Sequence, residues 1–178
     1  MGPGPSDVYP EVLAAMARPT IGHLDPAFIE FMDGLNELLR YAFKTQNSVT
    51  LPISAPGSAG MECCLVNLLE PGDEIIIASN GVFGGRMVEI ARRCGAKPVA
   101  VDFEWGTPVD PGKVEDVLKA HPQAVALAFV HAETSTGVRS DAQALCQLAR
   151  QYDCLSIVDA VTSLGGIELR VDDWGVDA

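Results

Sequence analysis

The stretch Ala124–Val130, AVALAFV, is apolar throughout and lacks the alternation of apolar and polar residues that a half-exposed strand shows. Glu74–Ala78, EIIIA, has nearly the same character. Continuous apolar runs of this length indicate strands covered on both faces, which is typical of parallel sheets packed between helices. The sequence therefore predicts an α/β fold of three layers with a mainly parallel sheet.

Strand-like and helical patterns alternate on either side of these runs. The predicted strands are Val49–Ile53, Glu74–Ala78, Pro98–Val101, Val125–Val130 and Leu155–Val158. The predicted helices between them are Ser58–Leu69, Gly84–Cys94, Pro111–Ala120 and Asp141–Tyr152. Two earlier helices are predicted to begin at Pro10 and at Asp25-Pro26, where proline suits the first helical turn.

Composition limits the class of protein and its partners. With 178 residues, of which 48% are hydrophobic and 20% charged, the chain is long enough for one domain with a full core. The net charge of −12 argues against nucleic acid or an anionic membrane as a partner, because phosphates would be repelled. No apolar run is long enough to cross a bilayer. The opening MGPGPS matches the loose N-myristoylation pattern at Gly2 and Ser6, but a Gly-Pro loop is the favoured interpretation.

The cysteines predict a reducing environment rather than a metal site. None of the five forms a C-x-x-C pair, and their scattered positions suit buried thiols. We therefore expect a cytoplasmic protein without a metal site.

Polar and small residues follow four of the predicted strands. The four turns are Ser54–Gly60, Ser79–Gly85, His131–Gly137 and Asp159–Ser163. Because ligands of parallel α/β sheets bind beyond the carboxyl ends of the strands, these turns are expected to converge on one site.

The first turn, SAPGSAG, has the features of an anion site. Its small residues let backbone N–H groups approach a ligand, the helix that follows favours a phosphate, and Ser58 adds a hydroxyl. Glycine and serine also cap helices when no ligand is present, so both interpretations stay open. The P-loop and dinucleotide fingerprints, G-x-x-x-x-G-K-[ST] and G-x-G-x-x-G, do not occur in the sequence.

The next two turns carry an aromatic side chain and a polar cluster. Phe83 lies among glycines and would either stack on a flat ligand ring or plug the core. His131–Gly137, HAETSTG, would either form a polar wall or bond its own backbone. A serine-nucleophile site is disfavoured because no G-x-S-x-G motif occurs.

Asp159 stands at the end of an apolar strand, in LSIVDAVTS, where an ionised carboxylate is costly without a partner. It would either cap the next turn, pair with an arginine, or bind a cationic ring nitrogen. Pyridoxal phosphate requires such an acid, together with a stacking aromatic and an anion cradle. The sequence contains one candidate for each role: Asp159, Phe83 and the pair Gly57 and Ser58.

Several ordered motifs resemble the class V aminotransferases, most closely their alanine–glyoxylate or serine–glyoxylate (serine–pyruvate) branch. They are GPGPS, TIGHLDPAF, PGSAGMECCLVNLLEPGDEIII, NGVFGGR, HAETSTGV and VDAVTSLGG. The resemblance implies the type I fold of pyridoxal-phosphate-dependent transferases, a homodimer, and pyridoxal 5'-phosphate as cofactor.

The same resemblance implies residue roles at the cofactor. Gly57 and Ser58 would cradle the phosphate, and Phe83 would stack on the pyridine ring. Asp159 would be the catalytic partner of the ring nitrogen, and Val161 would pack on the ring's other face.

Further roles and the domain organisation are implied in the same way. Thr134 would face the phenolic oxygen of the ring, and Gly22 and His23 would border the substrate entrance or the dimer interface. Residues 1–45 would form an N-terminal segment and helix with these entrance and dimer contacts. Residues 46–178 would form part of the large cofactor-binding domain, with the small C-terminal domain absent.

Three departures from the family pattern stand out. Pro56 replaces a common serine or threonine, so one hydroxyl and one N–H donor to the phosphate are lost. Ala55 replaces a common glycine. The family's Schiff-base lysine lies after the position of Asp159, whereas the lysines here are Lys44, Lys97, Lys113 and Lys119. We therefore expect the chain to represent the N-terminal part of a transaminase, inactive by itself.

The function implied is transfer of an amino group from alanine or serine to glyoxylate or a similar 2-oxo acid. Two alternatives remain open: another class V activity, such as a lyase or a transaminase for a different amino acid, and a truncated remnant without catalytic activity.

Overall fold

The computed structural model describes residues 7–178, so Gly2, Ser6 and the whole GPGPS motif lie outside the described part. Its centre is a parallel sheet of four strands in the order β2-β1-β3-β6. These strands are β1 (Glu74–Ser79), β2 (Lys97–Asp102), β3 (Ala124–Val130) and β6 (Leu155–Asp159). Two short antiparallel strands, β4 (Ala132–Glu133) and β5 (Val138–Arg139), follow β3. The mainly parallel α/β fold is confirmed.

Helices connect the strands and precede them. They are α1 (Pro10–Met16), α2 (Pro26–Phe43), α3 (Gly57–Leu68), α4 (Val82–Arg93), α5 (Pro111–Ala120), α6 (Ala142–Gln151) and α7 (Val171–Trp174). Several begin at the residues that the sequence predicts, because aspartates cap them. The carboxylates of Asp25, Asp110 and Asp141 accept hydrogen bonds from backbone N–H groups of the first turns of α2, α5 and α6.

Two apolar clusters cover the two faces of the sheet, which gives the three layers. On one face α3 and α4 pack on residues such as Ile75 and Ile77. On the other, α5 and α6 pack on Ile76, Leu127 and Phe129. Successive residues of a strand point to opposite faces, so an unbroken apolar run is what both layers require.

The prediction of a strand at Val49–Ile53 is wrong. These residues form no strand, and Val49, Leu51 and Ile53 are exposed. The apolar character of the run therefore reflects a surface segment rather than the core. Pro52 within it lacks the N–H that a ladder of hydrogen bonds needs.

Helix α4 begins at Val82, earlier than the predicted Gly84. Its first turn is held by a carboxylate from another part of the chain, that of Glu133, which accepts from the N–H groups of Phe83 and Gly84. Within residues 7–178 no helix combines the length and apolarity needed to cross a membrane. The same residues contain no group of three or more His, Cys, Asp or Glu side chains placed to hold a metal ion.

Candidate functional site

The order of the strands opens a crevice at the carboxyl edge of the sheet. From β1 the chain steps outward to β2 and then returns to β3 on the other side of β1. The connections that leave β1 and β3 therefore diverge, and ligands of such sheets bind at this point. Phe83 follows β1 and Thr134 follows β3, so two of the predicted site residues flank the crevice.

Asp159 is the last residue of β6 and its carboxylate is half-buried. The backbone N–H of Val161 donates to Oδ1 at 2.9 Å, as expected of a residue that caps the next turn. Within residues 7–178 no protein donor reaches Oδ2, and no cation lies within ion-pair distance of the carboxylate. One carboxylate oxygen therefore remains available to a ligand.

The surroundings of Asp159 make its ionised form less favourable than it is in water when no ligand is bound. Burial raises the pKa of the carboxyl group above its ordinary value of 3.8, and the nearby charge of Glu133 acts in the same direction. The hydrogen bond from Val161 and the charge of Arg86 lower the pKa but do not outweigh burial. A cation that approached Oδ2 would lower the pKa of the carboxyl group again.

Gly57 brings the amino end of α3 against the turn after β6. A Cβ atom built on Gly57 would lie 3.1 Å from Cγ2 of Val161, closer than ordinary van der Waals contact. Val161 itself is 70% exposed, so its side chain is accessible to a ligand. The predicted phosphate cradle and the predicted apolar contact to the ring are therefore neighbours.

Ser58 and Phe83 are joined through Arg86, a residue to which the sequence assigns no role. The guanidinium Nη1 of Arg86 donates to Oγ of Ser58 at 2.6 Å, and its Cζ lies 4.8 Å from the centroid of the Phe83 ring. Phe83 is half-buried and packs against the core, and the rest of its ring remains accessible. The spacing of three residues on one helix is the sequence signal that predicts the cation–π contact.

Glu133 is completely buried and accepts four hydrogen bonds. Oε2 accepts from the backbone N–H groups of Phe83 at 3.2 Å and Gly84 at 3.3 Å. Oε1 accepts from the backbone N–H of Ser135 at 3.1 Å and from its hydroxyl at 2.7 Å. The carboxylate thus holds the turns after β1 and β3 together. An acid three residues after the end of β3 is visible in the sequence, but its partners are not.

Two glycines allow this close approach. A Cβ on Gly81 would lie 2.6 Å from the hydroxyl oxygen of Ser135, and one on Gly84 would lie 2.7 Å from Cα of Ser79. Any larger residue at these positions would push α4 away from the strands beneath it.

Thr134 reaches the turn after β6, because its hydroxyl forms a short contact with that of Thr162. His131 is buried, and its ring meets that of Trp174 edge-on with the centroids 5.5 Å apart. Burial lowers the pKa of His131, and the charge of Arg139 adds to this effect against that of Asp141. The polar turn therefore supplies Thr134 to the crevice, whereas the His131 ring packs against α7.

Gly22 and His23 lie in the exposed segment between α1 and α2. A Cβ on Gly22 would meet no other atom within 4 Å. Among the described residues, no hydrogen bond or ion pair joins this segment to Asp159, Phe83 or Ser58. The structure thus brings six of the predicted site residues together around the crevice and leaves these two apart.

The residues around the crevice offer an anion site, an aromatic face and a hydrogen-bond acceptor. Gly57 and Ser58 stand at the amino end of a helix of twelve residues, where backbone N–H groups attract an anion. Phe83 offers an aromatic face, and Oδ2 of Asp159 offers an acceptor to a cationic N–H group. These are the features that pyridoxal phosphate requires of its site.

Comparison with known proteins agrees with this chemistry. Residues 6–178 match the family model described as aminotransferase class-V. The chain is 42% identical to the (S)-ureidoglycine–glyoxylate transaminase of Bacillus subtilis over all of its own length and 42% of that protein. It is 40% identical to the alanine–glyoxylate aminotransferase of Drosophila melanogaster, over 99% of this chain and 45% of that protein.

A solved structure gives the same result at the level of the fold. The alanine–glyoxylate aminotransferase of Nostoc sp. superposes with a TM-score of 0.95 at 44% identity, over 99% of this chain and 46% of that one. The chain thus spans less than half the length of the relatives it matches. It belongs to the class V aminotransferase family, whose members depend on pyridoxal phosphate.

Proposed function

We propose that the protein is a transaminase that transfers the amino group of alanine or serine to glyoxylate or a similar 2-oxo acid, with pyridoxal phosphate as cofactor. The observation that carries the proposal is the half-buried Asp159, with one free carboxylate oxygen, in the same crevice as Phe83 and Ser58. The likeness to glyoxylate transaminases supports the choice of acceptor.

Different residues would hold different parts of the cofactor. Gly57 and Ser58 would bind its phosphate, while Phe83 and Val161 would contact its ring, and Thr134 would hydrogen-bond the ring oxygen. The chemistry that the cofactor supplies when bound is withdrawal of electrons from the α-carbon of the substrate.

Asp159 would hold a proton at the ring nitrogen. Burial raises the pKa of its carboxyl group in the free protein. A cationic N–H at Oδ2 would oppose that shift, since opposite charges at hydrogen-bond distance stabilise each other strongly in a partly buried site. We therefore assign to Asp159 the catalytic role of keeping the ring cationic.

A second candidate differs in the amino donor. The likeness to the ureidoglycine–glyoxylate transaminase, at 42% identity, favours (S)-ureidoglycine as an alternative to alanine or serine. Both candidates share glyoxylate as acceptor and the same cofactor contacts.

We also propose that the protein forms a homodimer. Supporting this, large apolar side chains are exposed along α1, α2 and the segment that precedes α3: Val12, Leu13, Met16, Ile29, Phe31, Leu38, Tyr41, Val49, Leu51 and Ile53. Exposed apolar surface of this extent is typical of an interface. In this proposal residues 1–45 provide dimer contacts and the substrate entrance, with Gly22 and His23 beside it. Residues 46–178 form the cofactor-binding part of the large domain.

We also propose a cytoplasmic location on the basis of the cysteine thiols. All five cysteines are free, and burial raises the pKa of Cys146 to about 11. Unpaired thiols suit a reducing compartment.

The test is an assay of the protein expressed from its complete gene. Alanine, serine and (S)-ureidoglycine are each supplied with glyoxylate, and glycine formation is measured with and without added pyridoxal phosphate. Cofactor-dependent glycine formation with alanine or serine as the amino donor supports the first candidate. Glycine formation only with ureidoglycine as the donor supports the second. Absence of glycine with all three donors would contradict both.

A further inference from the structure

We propose that Arg86 is a positioning residue that turns the hydroxyl of Ser58 into a directed donor for the anionic end of the ligand. The inference rests on the proposed function, because it concerns how the phosphate of the cofactor is bound. Its basis is the hydrogen bond of 2.6 Å between Nη1 of Arg86 and Oγ of Ser58.

A serine hydroxyl has one hydrogen to donate and two lone pairs that accept. Arg86 can only donate, so it must occupy a lone pair of Ser58 and leave the hydroxyl hydrogen free. Among residues 7–178 no other group forms a hydrogen bond with this hydroxyl. The hydrogen is therefore available to an acceptor at the amino end of α3, where a phosphate is favoured.

The position of Arg86 is itself fixed by Phe83. The guanidinium carbon lies 4.8 Å from the ring centroid, a distance at which a cation is attracted by an aromatic face. Arg86 and Phe83 lie on α4, whereas Ser58 lies on α3. The guanidinium thus joins the amino-terminal parts of the two helices that border the crevice.

Arg86 forms no ion pair with a carboxylate of the described residues, although it is half-buried. Neither Glu133 nor Asp159 forms a hydrogen bond with it. Glu133 is occupied by its four hydrogen bonds, and Asp159 is influenced by Arg86 through charge alone. The guanidinium is therefore not drawn away by a carboxylate and stays on the hydroxyl of Ser58.

The experiment compares two ligands that differ only in the phosphate. Protein from the complete gene is freed of cofactor, and dissociation constants for pyridoxal phosphate and for pyridoxal are measured by absorbance or fluorescence titration. For Arg86→Gln we expect the dissociation constant for pyridoxal phosphate to rise about tenfold or more, as for loss of a hydrogen bond to a charged group, and that for pyridoxal to change less than about twofold. Arg92→Gln, an exposed change on the same helix, is the matched control and should alter neither.

A double variant separates action through Ser58 from any other route. If Arg86 acts through the hydroxyl, Ser58→Ala combined with Arg86→Gln should bind pyridoxal phosphate no more weakly than Ser58→Ala alone. Additive losses, or equal losses for the two ligands, would overturn the inference. If Arg86→Gln does not fold, Ser58→Ala alone still decides, since an equal effect on both ligands refutes the directed donor. Failure of the unaltered protein to bind pyridoxal phosphate would instead refute the proposed function.

Discussion

The carboxylate of Glu133 caps the helix that carries Phe83, accepting the backbone N–H of Phe83 at 3.2 Å and that of Gly84 at 3.3 Å. A negative charge at this end of a helix meets the positive end of its dipole and two N–H groups that have no partner within the helix. The aromatic ring is therefore positioned by a buried acid fifty residues later in the chain.

Replacing Glu133 with glutamine should loosen this arrangement. The amide keeps one acceptor oxygen, but its NH2 group must face N–H donors that the carboxylate now satisfies. We expect the free energy of unfolding to fall by about 1–3 kcal/mol, measured by denaturant titration. Affinity for pyridoxal phosphate should fall as well, because Phe83 loses its fixed position.

Glu89→Gln is the control for this change. Glu89 lies on the same helix but is exposed, and its ion pair with Arg93 is also exposed. We expect its effect on unfolding to stay within about 0.5 kcal/mol. Equal effects of the two substitutions would contradict the role assigned to Glu133.

Two adjacent glycines of α4 provide a second matched comparison. A Cβ at Gly84 would lie 2.7 Å from the backbone Cα of Ser79, whereas one at Gly85 would meet nothing within 4 Å. Gly84→Ala should therefore destabilise the protein by about 1–3 kcal/mol through overpacking. Gly85→Ala should be neutral or stabilise by up to about 1 kcal/mol, because alanine favours the helix. Thermal or denaturant unfolding of both variants tests this, and the reverse order would refute the close packing of α4 on β1.

The sequence was sufficient to predict most of the sheet and the turns that border the candidate site. The runs Glu74–Ala78 and Ala124–Val130 are apolar because both faces of their strands are covered, so burial leaves a pattern that can be read directly. The run Val49–Ile53 was wrongly predicted as a strand, because an apolar surface segment has the same composition as a buried strand. Only the fold distinguishes the two.

The sequence alone could not predict the hydrogen bonds that pair residues across the site. Parallel strands bring their carboxyl ends together, so the convergence of the four turns could be predicted. The contacts of Ser58 with Arg86 and of Phe83 with Glu133 join residues 28 and 50 positions apart. No periodicity encodes such pairs, because they depend on the register and packing of elements already folded.

His131 should make stability depend on pH. Its pKa in the folded protein is below the ordinary value of 6.5, chiefly because of burial. The unfolded chain therefore binds a proton first as the pH falls through 6.5, and stability is lost below that pH. His131→Gln should flatten this loss in denaturant titrations between about pH 7 and pH 5. His23→Gln, at an exposed position, should leave it unchanged, and a loss that persists in His131→Gln would show that another group is responsible.

Replacing Asp159 with asparagine should have different effects on stability and on activity. Because burial raises its pKa above 3.8, the folded protein without cofactor binds this proton more tightly than the unfolded chain. Ionisation therefore costs stability as the pH rises through the folded pKa, and the cost is absent below 3.8. Asp159→Asn removes the cost, so at neutral pH the variant without cofactor should be at least as stable as the unaltered protein.

In the complete protein the same substitution should reduce turnover by about 10²–10³-fold, since the charge that holds the ring nitrogen is lost. The two measurements together distinguish a functional acid from a structural one. If Asp159 were a cap required for the fold, its replacement would lower stability. If Asp159 serves a cationic ligand, its replacement lowers only cofactor affinity and turnover. Near-normal turnover of Asp159→Asn, or a clear loss of stability without cofactor, would contradict the role proposed for the free oxygen of Asp159.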